Sequence, residues 1–226
     1  MAAKNFDRVA GVYAWLERAA FGRDLERARF QFLDRARDCR NILVLGDGDG
    51  RALARLLDAA PHARIRSVDA SAAMLARARD RVATHAGADR VVFEHADARR
   101  IDLGGAGYDA VVTLFFLDCF AADEVEALVA RVRTHLVPGA LWLYADFELP
   151  PHGVARLRGR AWLALLYAFF RWQTGITARE LPPSREMLVR AGLTESAVAS
   201  WRGGLIVARE FRCPLTPSQT GPTGVD

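Results

Sequence analysis

The spacing of hydrophobic positions along the chain changes near residue 41. Before that point, apolar side chains recur at three- and four-residue intervals, which predicts helices over residues 5–38. After it, short continuous apolar runs alternate with amphipathic stretches, which predicts strands separated by helices. Apolar strands that alternate with helices indicate a parallel sheet buried on both faces. We therefore predict an α/β protein with a doubly wound, Rossmann-like sheet.

Five strands are predicted before residue 150. The first, Ile42 to Leu45, leads into a glycine-rich turn and a helix over residues 52–59. Ser71 is the predicted N-cap of the next helix, and Pro138-Gly139 is predicted to end a helix that starts at Asp123. The remaining strands of this half are predicted at residues 65–68, 91–93, 110–114 and 141–144.

The C-terminal third predicts a helical insertion and then a hairpin. Residues 152–173 have a helical and strongly aromatic pattern, and a helix over residues 183–191 is predicted to end at Gly192. Arg202-Gly203-Gly204 separates two strand-like segments, so an antiparallel pair is expected to complete a seven-stranded, mostly parallel sheet. One domain is predicted over residues 1–212. Its parts are an N-terminal helical cover (1–40), an α/β core (41–150), a helical lid (151–181) and a helix with the hairpin (182–212). A disordered tail is predicted over residues 213–226.

Composition and length exclude several kinds of protein. Of the 226 residues 51% are hydrophobic, which is too many for a disordered chain. The apolar run over residues 161–170 is shorter than the roughly 20 residues of a membrane span, and the first residues lack the apolar core of a secretory signal. Three cysteines without a CxxC pair favour neither a disulfide framework nor a zinc site. We therefore expect a cytoplasmic protein that is not integral to a membrane and has no metal site.

The net charge of +4 raises the question of nucleic-acid binding. Nearly all of the basic charge is arginine, which alternates with Asp and Glu on helical stretches such as residues 23–27. That alternation is typical of a solvated helix face, whereas proteins that follow a phosphate backbone concentrate their charge on one face. We therefore expect no nucleic-acid partner.

A glycine-rich turn follows the first strand and is the strongest local motif. Gly46, Gly48 and Gly50 alternate with Asp47 and Asp49 immediately before a predicted helix. Glycine permits positive φ and lets a ligand approach the bare backbone, and a helix N-terminus offers unpaired N–H groups. The pattern predicts a small-molecule cradle at the carboxyl end of the first strand, with an ordinary tight turn as the alternative.

The spacing of these glycines distinguishes two ligands. A dinucleotide-binding loop has its third glycine where this chain has Arg51, whereas the observed G-x-G-x-G is typical of S-adenosylmethionine-dependent methyltransferases. Residues 41–147 resemble the cofactor-binding core of class I methyltransferases, in the small-molecule branch that includes ubiquinone and menaquinone biosynthesis enzymes.

The resemblance implies roles for particular residues. Asp69, in Ser67-Val68-Asp69-Ala70-Ser71, would hold both ribose hydroxyls, for which a carboxylate is a good geometric match. Met74 would flank the adenine ring, and Asp97 in His95-Ala96-Asp97-Ala98 would accept from the adenine amino group. The cofactor-binding residues implied for S-adenosyl-L-methionine are Tyr13 in the N-terminal helix, Gly46, Asp47, Gly48, Asp49, Gly50, Asp69, Ala70, Met74, Asp97, Ala98 and Thr113.

Two positions depart from the family pattern. The family usually has Asp or Glu two residues before the first glycine, where this chain has Val44. Our hypothesis is that Asp47 or Asp49 instead meets the ammonium group of the cofactor, directly or through water, the alternative being that both face solvent. Relatives often carry His where this chain has Asp118, so a histidine base is not available at that position.

The chemistry of methyl transfer sets what else is needed. Transfer from a sulfonium is one in-line displacement, so the protein chiefly aligns the reactants and excludes water, and no catalytic triad is required. A hydroxyl acceptor would benefit from a general base. Asp118 and Asp146, just past predicted strand ends, are the candidates, while orienting the substrate or binding helix ends is the alternative for both.

Aromatic residues are the candidates for contact with the acceptor. Phe115 and Phe116 follow the fourth strand, where an aromatic face could also attract the sulfonium, and core packing is the alternative. Trp162 and Tyr167 in the predicted lid suit a hydrophobic or aromatic acceptor, with packing on the sheet or a homodimer contact as alternatives. Methyltransferases that carry [DN]-P-P-[FY] after the fourth strand are disfavoured, because residues 113–116 read TLFF.

The sequence thus predicts an S-adenosylmethionine-dependent methyltransferase that acts on a small, hydrophobic or aromatic molecule. Two alternatives stay open at this point: a nicotinamide-dependent oxidoreductase with the same type of sheet, and a protein that binds S-adenosylmethionine without catalysis. The identity of the acceptor is not predicted.

Overall fold

The computed structural model describes residues 23–105, 107–150 and 181–215. Its strands are β1 (Asn41–Leu45), β2 (Arg64–Asp69), β3 (Val91–His95), β4 (Tyr108–Leu114), β5 (Leu136–Phe147), β6 (Thr194–Trp201) and β7 (Ile206–Arg212). Its α-helices are α1 (Asp24–Phe30), α2 (Arg51–Ala59), α3 (Ala72–Val82), α4 (Ala122–Arg133) and α5 (Ser184–Arg190), and four short 3₁₀ helices lie between these elements.

The seven strands form one sheet in the order β3-β2-β1-β4-β5-β7-β6. β1 to β5 run parallel to one another, and β7 lies antiparallel between β5 and β6. The predicted α/β class, the mostly parallel sheet and the antiparallel C-terminal pair are therefore confirmed. Because β1, β2, β4 and β5 are parallel, their carboxyl ends lie at one edge of the sheet, where ligands bind in folds of this type.

The core has one hydrophobic layer on each face of the sheet. Alternate residues of β1 enter the two layers, Ile42 and Val44 on one side and Leu43 and Leu45 on the other. The first layer includes side chains of α1 and α2, and the second includes those of α4 and α5. Burial on both faces accounts for the unbroken apolar run of β1, since each fully buried leucine or valine adds roughly 1.5–3 kcal/mol of hydrophobic stabilisation.

One prediction about element boundaries is wrong. Pro138-Gly139 does not end α4, which stops at Arg133, but lies within β5. Leu136 already pairs with Tyr108 of β4. The N–H of Gly139 donates to the carbonyl of Cys213 (3.1 Å), and the N–H of Cys213 donates to Ala140 (2.8 Å). Pairing with two neighbouring segments thus extends the strand through a dipeptide that locally favours a turn, and the ordered chain continues past residue 212.

Several predicted features lie outside the described residues. They are the helices before residue 23 with Tyr13, the aromatic lid with Trp162 and Tyr167, and the tail from residue 216. Within residues 23–105, 107–150 and 181–215, no helix has the length and apolar character needed to cross a membrane.

Candidate functional site

The glycine-rich loop joins β1 to α2, and all three of its glycines have positive φ (68°, 64° and 82°). A Cβ atom at Gly46 would overlap the ring of Phe116, and one at Gly50 would lie 2.7 Å from the Cα of Ala78. Gly48 differs from both, because a Cβ there would meet no heavy atom within 4 Å. Packing thus explains Gly46 and Gly50, while the backbone of Gly48 borders open space that a ligand could fill.

Asp69 lies directly beside this loop. Its Oδ2 accepts from the N–H of Gly48 (3.3 Å) and its Oδ1 accepts from the N–H of Ser71 (2.8 Å). Burial raises the pKa of Asp69, and the two N–H groups and His95 oppose that rise. Ser71 also caps α3 as predicted, since its Oγ accepts from the N–H of Met74 (3.3 Å). The structure therefore brings the predicted glycine cradle and Asp69, the predicted ribose-binding residue, together at one edge of the sheet.

Asp47 is buried rather than facing solvent. Its carboxylate accepts from the N–H groups of Ala52 (3.2 Å) and Leu53 (2.8 Å) in the first turn of α2. Burial raises the pKa of Asp47 to about 6, against the lowering influence of Arg29 and of these two N–H groups. Asp47 thus holds the glycine loop onto α2, and its suggested contact with an ammonium group stays a prediction.

Asp49 is paired with two arginines. Arg81 of α3 places Nη2 2.7 Å from Asp49 Oδ2 and donates from Nε to the Asp49 carbonyl (2.7 Å). Arg51 Nε lies 3.1 Å from the same carboxylate. The glycine loop is therefore fastened to α2 through Asp47 and to α3 through Asp49.

The predicted adenine side follows β3. The N–H of Ala96 donates to the carbonyl of Asp69 (3.1 Å), which places the next residue, Asp97, near the cradle. Asp97 accepts from the N–H and the guanidinium of Arg99, and this hydrogen bonding lowers the pKa of Asp97. Ala98 is buried, with its carbonyl accepting from Arg131, and the carbonyl of Ala70 lies 3.1 Å from Nε2 of His95.

The two phenylalanines after β4 point to different layers. Phe115 has a φ of 55°, which is uncommon for a bulky residue, and its ring packs 5.4 Å from that of Phe147 in the first layer. Phe116 covers Gly46 and meets the edge of Phe120 at 4.9 Å in the second layer. Thr113 is fully buried, and its Oγ1 accepts from Nε1 of Trp142 (2.9 Å), so its side chain does not border open space.

The two candidate bases, Asp118 and Asp146, form a carboxyl pair. Asp146 is 1% exposed, and its Oδ2 accepts from the N–H of Asp118 (3.2 Å) while its Oδ1 accepts from the N–H of Phe147 (3.0 Å). The two side chains are also hydrogen bonded to each other. Burial first, and then the charge of Asp118, raises the pKa of Asp146 well above its usual range. Such a pair retains a proton under conditions where a solvated carboxyl loses it.

Further polar groups surround this pair. Cys119 Sγ lies 3.5 Å from Asp118 Oδ1, and burial together with Asp118 and Asp146 raises the pKa of the Cys119 thiol. The pKa of Tyr144 is raised by burial and by Asp146, and its hydroxyl is hydrogen bonded to Ser184. The charge of Asp69 also raises the pKa of the Cys119 thiol. The carboxyl pair therefore lies at the same edge of the sheet as Asp69, the predicted ribose-binding residue.

Sequence reasoning missed the arginines that organise this site. Arg29, Arg81, Arg99 and Arg131 contact or act on the glycine loop, the carboxylates or the strand ends. Arg29 also lies with its guanidinium carbon 5.5 Å from the centroid of the Phe115 ring. In a chain rich in arginine no residue pattern separates these four from the others. Each makes at least one contact with a residue distant in sequence, which for Arg99 is Glu124 of α4.

A glycine loop beside an acidic strand end, on a sheet of this order, is the arrangement that the sequence resemblance predicts. Residues 42–139 match the family model for a methyltransferase domain. This part of the chain is similar to that family. No curated protein matches the chain.

Three solved structures illustrate the similarity in fold. N-methyltransferase NodS from Bradyrhizobium japonicum WM9, in complex with S-adenosyl-L-homocysteine, is 19% identical, with 84% of this chain and 88% of that chain covered and a TM-score of 0.59. Mitomycin 7-O-methyltransferase MmcR is 20% identical, with 90% and 58% covered and a TM-score of 0.65. A possible exported protein from Bordetella parapertussis is 22% identical, with 84% and 68% covered and a TM-score of 0.63.

Proposed function

We propose that this protein transfers a methyl group from S-adenosylmethionine to a small molecule. The observation that carries the proposal is the open backbone of Gly48, whose N–H donates to the half-buried carboxylate of Asp69. A bare main chain next to an acceptor with two oxygens suits a nucleoside, since vicinal ribose hydroxyls can donate to both oxygens. When bound, S-adenosylmethionine supplies a methyl group already activated on a sulfonium.

The described residues divide the binding work. Gly48 admits the ligand to the backbone, Gly46 and Gly50 form the turn on either side of it, and Asp69 binds the ribose. Asp97 accepts from the adenine amino group, and Met74 contributes an apolar side chain at the start of α3. Asp47 and Asp49 are engaged by N–H groups and arginines. Each carboxylate retains acceptor capacity, so we propose that one of them meets the ammonium group through water.

Ligand-induced stabilisation tests this function against the two alternatives. We expect S-adenosylhomocysteine to raise the melting temperature and NADH to leave it unchanged, because the spacing of the glycines suits the former ligand. Stabilisation by NADH alone would overturn the proposal in favour of an oxidoreductase. Tight calorimetric binding of S-adenosylmethionine with no transfer of labelled methyl to a broad panel of phenols and amines would favour noncatalytic binding.

The acceptor is proposed to be hydrophobic or aromatic and to bind beside Phe116. Phe116 lies over Gly46, and the Asp118–Asp146 pair begins two residues further along the chain, so an apolar ring and a carboxyl pair border one region. NodS is an N-methyltransferase and MmcR is an O-methyltransferase, so both kinds of acceptor atom occur among proteins with this fold. The carboxyl pair is then positioned to take a proton from the acceptor as the new bond to carbon forms.

The pH dependence of transfer tests the carboxyl pair. A base must be deprotonated, so we expect the rate to rise with pH through the raised pKa of Asp146 and to level off above it. Asp146→Asn should remove this rising limb and reduce kcat by roughly 10²–10⁴-fold, the range for loss of a general base. The measurement is a pH–rate profile with any acceptor that the panel identifies.

Asp118→Asn supplies the matched comparison. The substitution removes a negative neighbour of Asp146, so the rising limb should move to lower pH while activity is retained. A purely structural role would leave the position of the limb unchanged in a folded variant. A limb that survives both substitutions at the wild-type pH would show that neither carboxyl is the base.

We also propose a location and a domain organisation. The protein is cytoplasmic and has one domain, with residues 1–40 supplying the cover and residues 151–181 the lid, as the sequence predicts. Cell fractionation is the direct test of location, because one protein of similar fold is a possible exported protein.

A further inference from the structure

Arg99 lies between two carboxylates that belong to different elements. Its Nε is 2.9 Å from Oδ1 and 3.1 Å from Oδ2 of Asp97, and its Nη2 is 2.6 Å from Oδ2. Its Nη1 donates to Glu124 in the first turn of α4. The guanidinium carbon also lies 5.3 Å from the centroid of the Phe120 ring. One side chain thus connects the segment after β3 with the start of α4.

The contact with Arg99 fixes the orientation of the Asp97 carboxylate without using all of its hydrogen-bond acceptor positions. A planar guanidinium binds a carboxylate in a defined plane, which a flexible ammonium does not do. An ionised carboxylate has about four acceptor positions, and Arg99 with its own N–H uses only part of them. Asp97 is partly exposed, so its remaining acceptor capacity is open to an incoming donor.

The backbone of the same segment is held by a different residue. Arg131 of α4 donates to the carbonyls of Ala98 and Ile101, and the N–H groups of Arg100 and Ile101 donate to the carbonyl of Asp97. Loss of the Arg99 side chain therefore leaves the main chain anchored. What it releases is the guanidinium contact to both oxygens of the Asp97 carboxylate, which is then held only through Oδ1 by the N–H of residue 99 (2.9 Å).

We infer that Arg99 is a positioning residue that holds the Asp97 carboxylate toward the 6-amino group of adenine, and so sets the preference of the site for adenine over 6-oxopurines. This inference rests on the proposed function. A carboxylate accepts from an amino group but repels the oxygen that a 6-oxopurine carries in its place, so the strength of discrimination depends on how firmly the carboxylate is held.

The test compares binding of S-adenosylhomocysteine and S-inosylhomocysteine by calorimetry. We expect the wild-type protein to prefer the adenosyl ligand by at least about 10-fold, as for a site built to accept a substrate N–H. In Arg99→Gln the adenosyl ligand should lose most of this advantage while the affinity for the inosyl ligand changes less. Arg99→Lys keeps the charge without the planar fork and should give an intermediate ratio.

Arg100→Gln is the matched control, because Arg100 is an exposed arginine on the same segment that acts on Asp97 through its charge, and its ratio should stay close to that of the wild type. An unchanged ratio in folded Arg99→Gln would overturn the inference, and Arg99→Lys decides by the same criterion if Arg99→Gln does not fold. A wild-type protein that binds both ligands equally would also overturn it while leaving the proposed function intact. Failure of the wild type to bind either ligand would instead count against the proposed function.

Discussion

Gly48→Val abolishes binding of S-adenosylhomocysteine, if the cradle has been assigned correctly. The backbone of Gly48 borders open space, so a branched side chain would fill the volume that the ligand needs. The φ of 64° adds strain, which costs roughly 1–2 kcal/mol for a residue with a Cβ atom. Calorimetric titration of the folded variant should therefore detect no binding at ligand concentrations that saturate the wild type.

Gly192→Val is the control that separates the effect of backbone strain from the effect of filling the space that the ligand needs. Gly192 has a φ of 83° and also has no heavy atom within 4 Å of a Cβ position, but it follows α5, away from the glycine loop. This variant should lose a similar amount of stability and keep the wild-type affinity. Unchanged affinity in Gly48→Val would refute the assignment of the loop.

Asp69→Ala has the second largest expected effect on cofactor affinity. Its carboxylate is proposed to accept from both ribose hydroxyls, and loss of this hydrogen bonding to a charged group is expected to cost roughly 1.5–3 kcal/mol in total. We expect the Kd of S-adenosylhomocysteine to rise about 10- to 150-fold. Asp69→Ala also releases the N–H of Gly48, so the unfolding free energy should be measured alongside the titration.

Ser71→Ala is the control for this structural component. The Ser71 Oγ caps α3 but has no proposed contact with the ligand, so its loss should destabilise the protein by about 0.5–2 kcal/mol without changing the Kd. A Kd close to the wild-type value in Asp69→Ala would contradict the ribose role. Equal effects of the two substitutions on affinity would assign the loss to α3 rather than to the carboxylate.

Much of the fold follows from local pattern. The unbroken apolar runs of β1 and β4 and the glycine turn between β6 and β7 were enough to predict a parallel sheet closed by a hairpin. Pro138-Gly139 shows the limit of local pattern. The dipeptide favours a turn on its own, but Cys213 and Tyr108, both distant in sequence, pair with the chain on either side of it. Tertiary pairing therefore decided the local conformation.

The candidate site, like the fold, could be predicted from the sequence only in part. The spacing of Gly46, Gly48 and Gly50 and the position of Asp69 at a strand end are visible in the sequence, because adjacent parallel strands end at one edge. The partners that reach the site from distant parts of the chain are not visible. Arg81 reaches Asp49 across 32 positions. Arg131 reaches Ala98 across 33. Only the packing of helices against the sheet determines such contacts.

The double fastening of the glycine loop affects how a ligand is received. Asp47 ties the loop to α2 and Asp49 ties it to α3, so its conformation is set by the protein's own side chains. An incoming nucleoside therefore meets a surface already shaped for it, and little conformational entropy is lost locally on association. The binding free energy contributed by the glycine loop then reflects the contacts that the nucleoside makes, because little free energy is spent on rearranging the main chain.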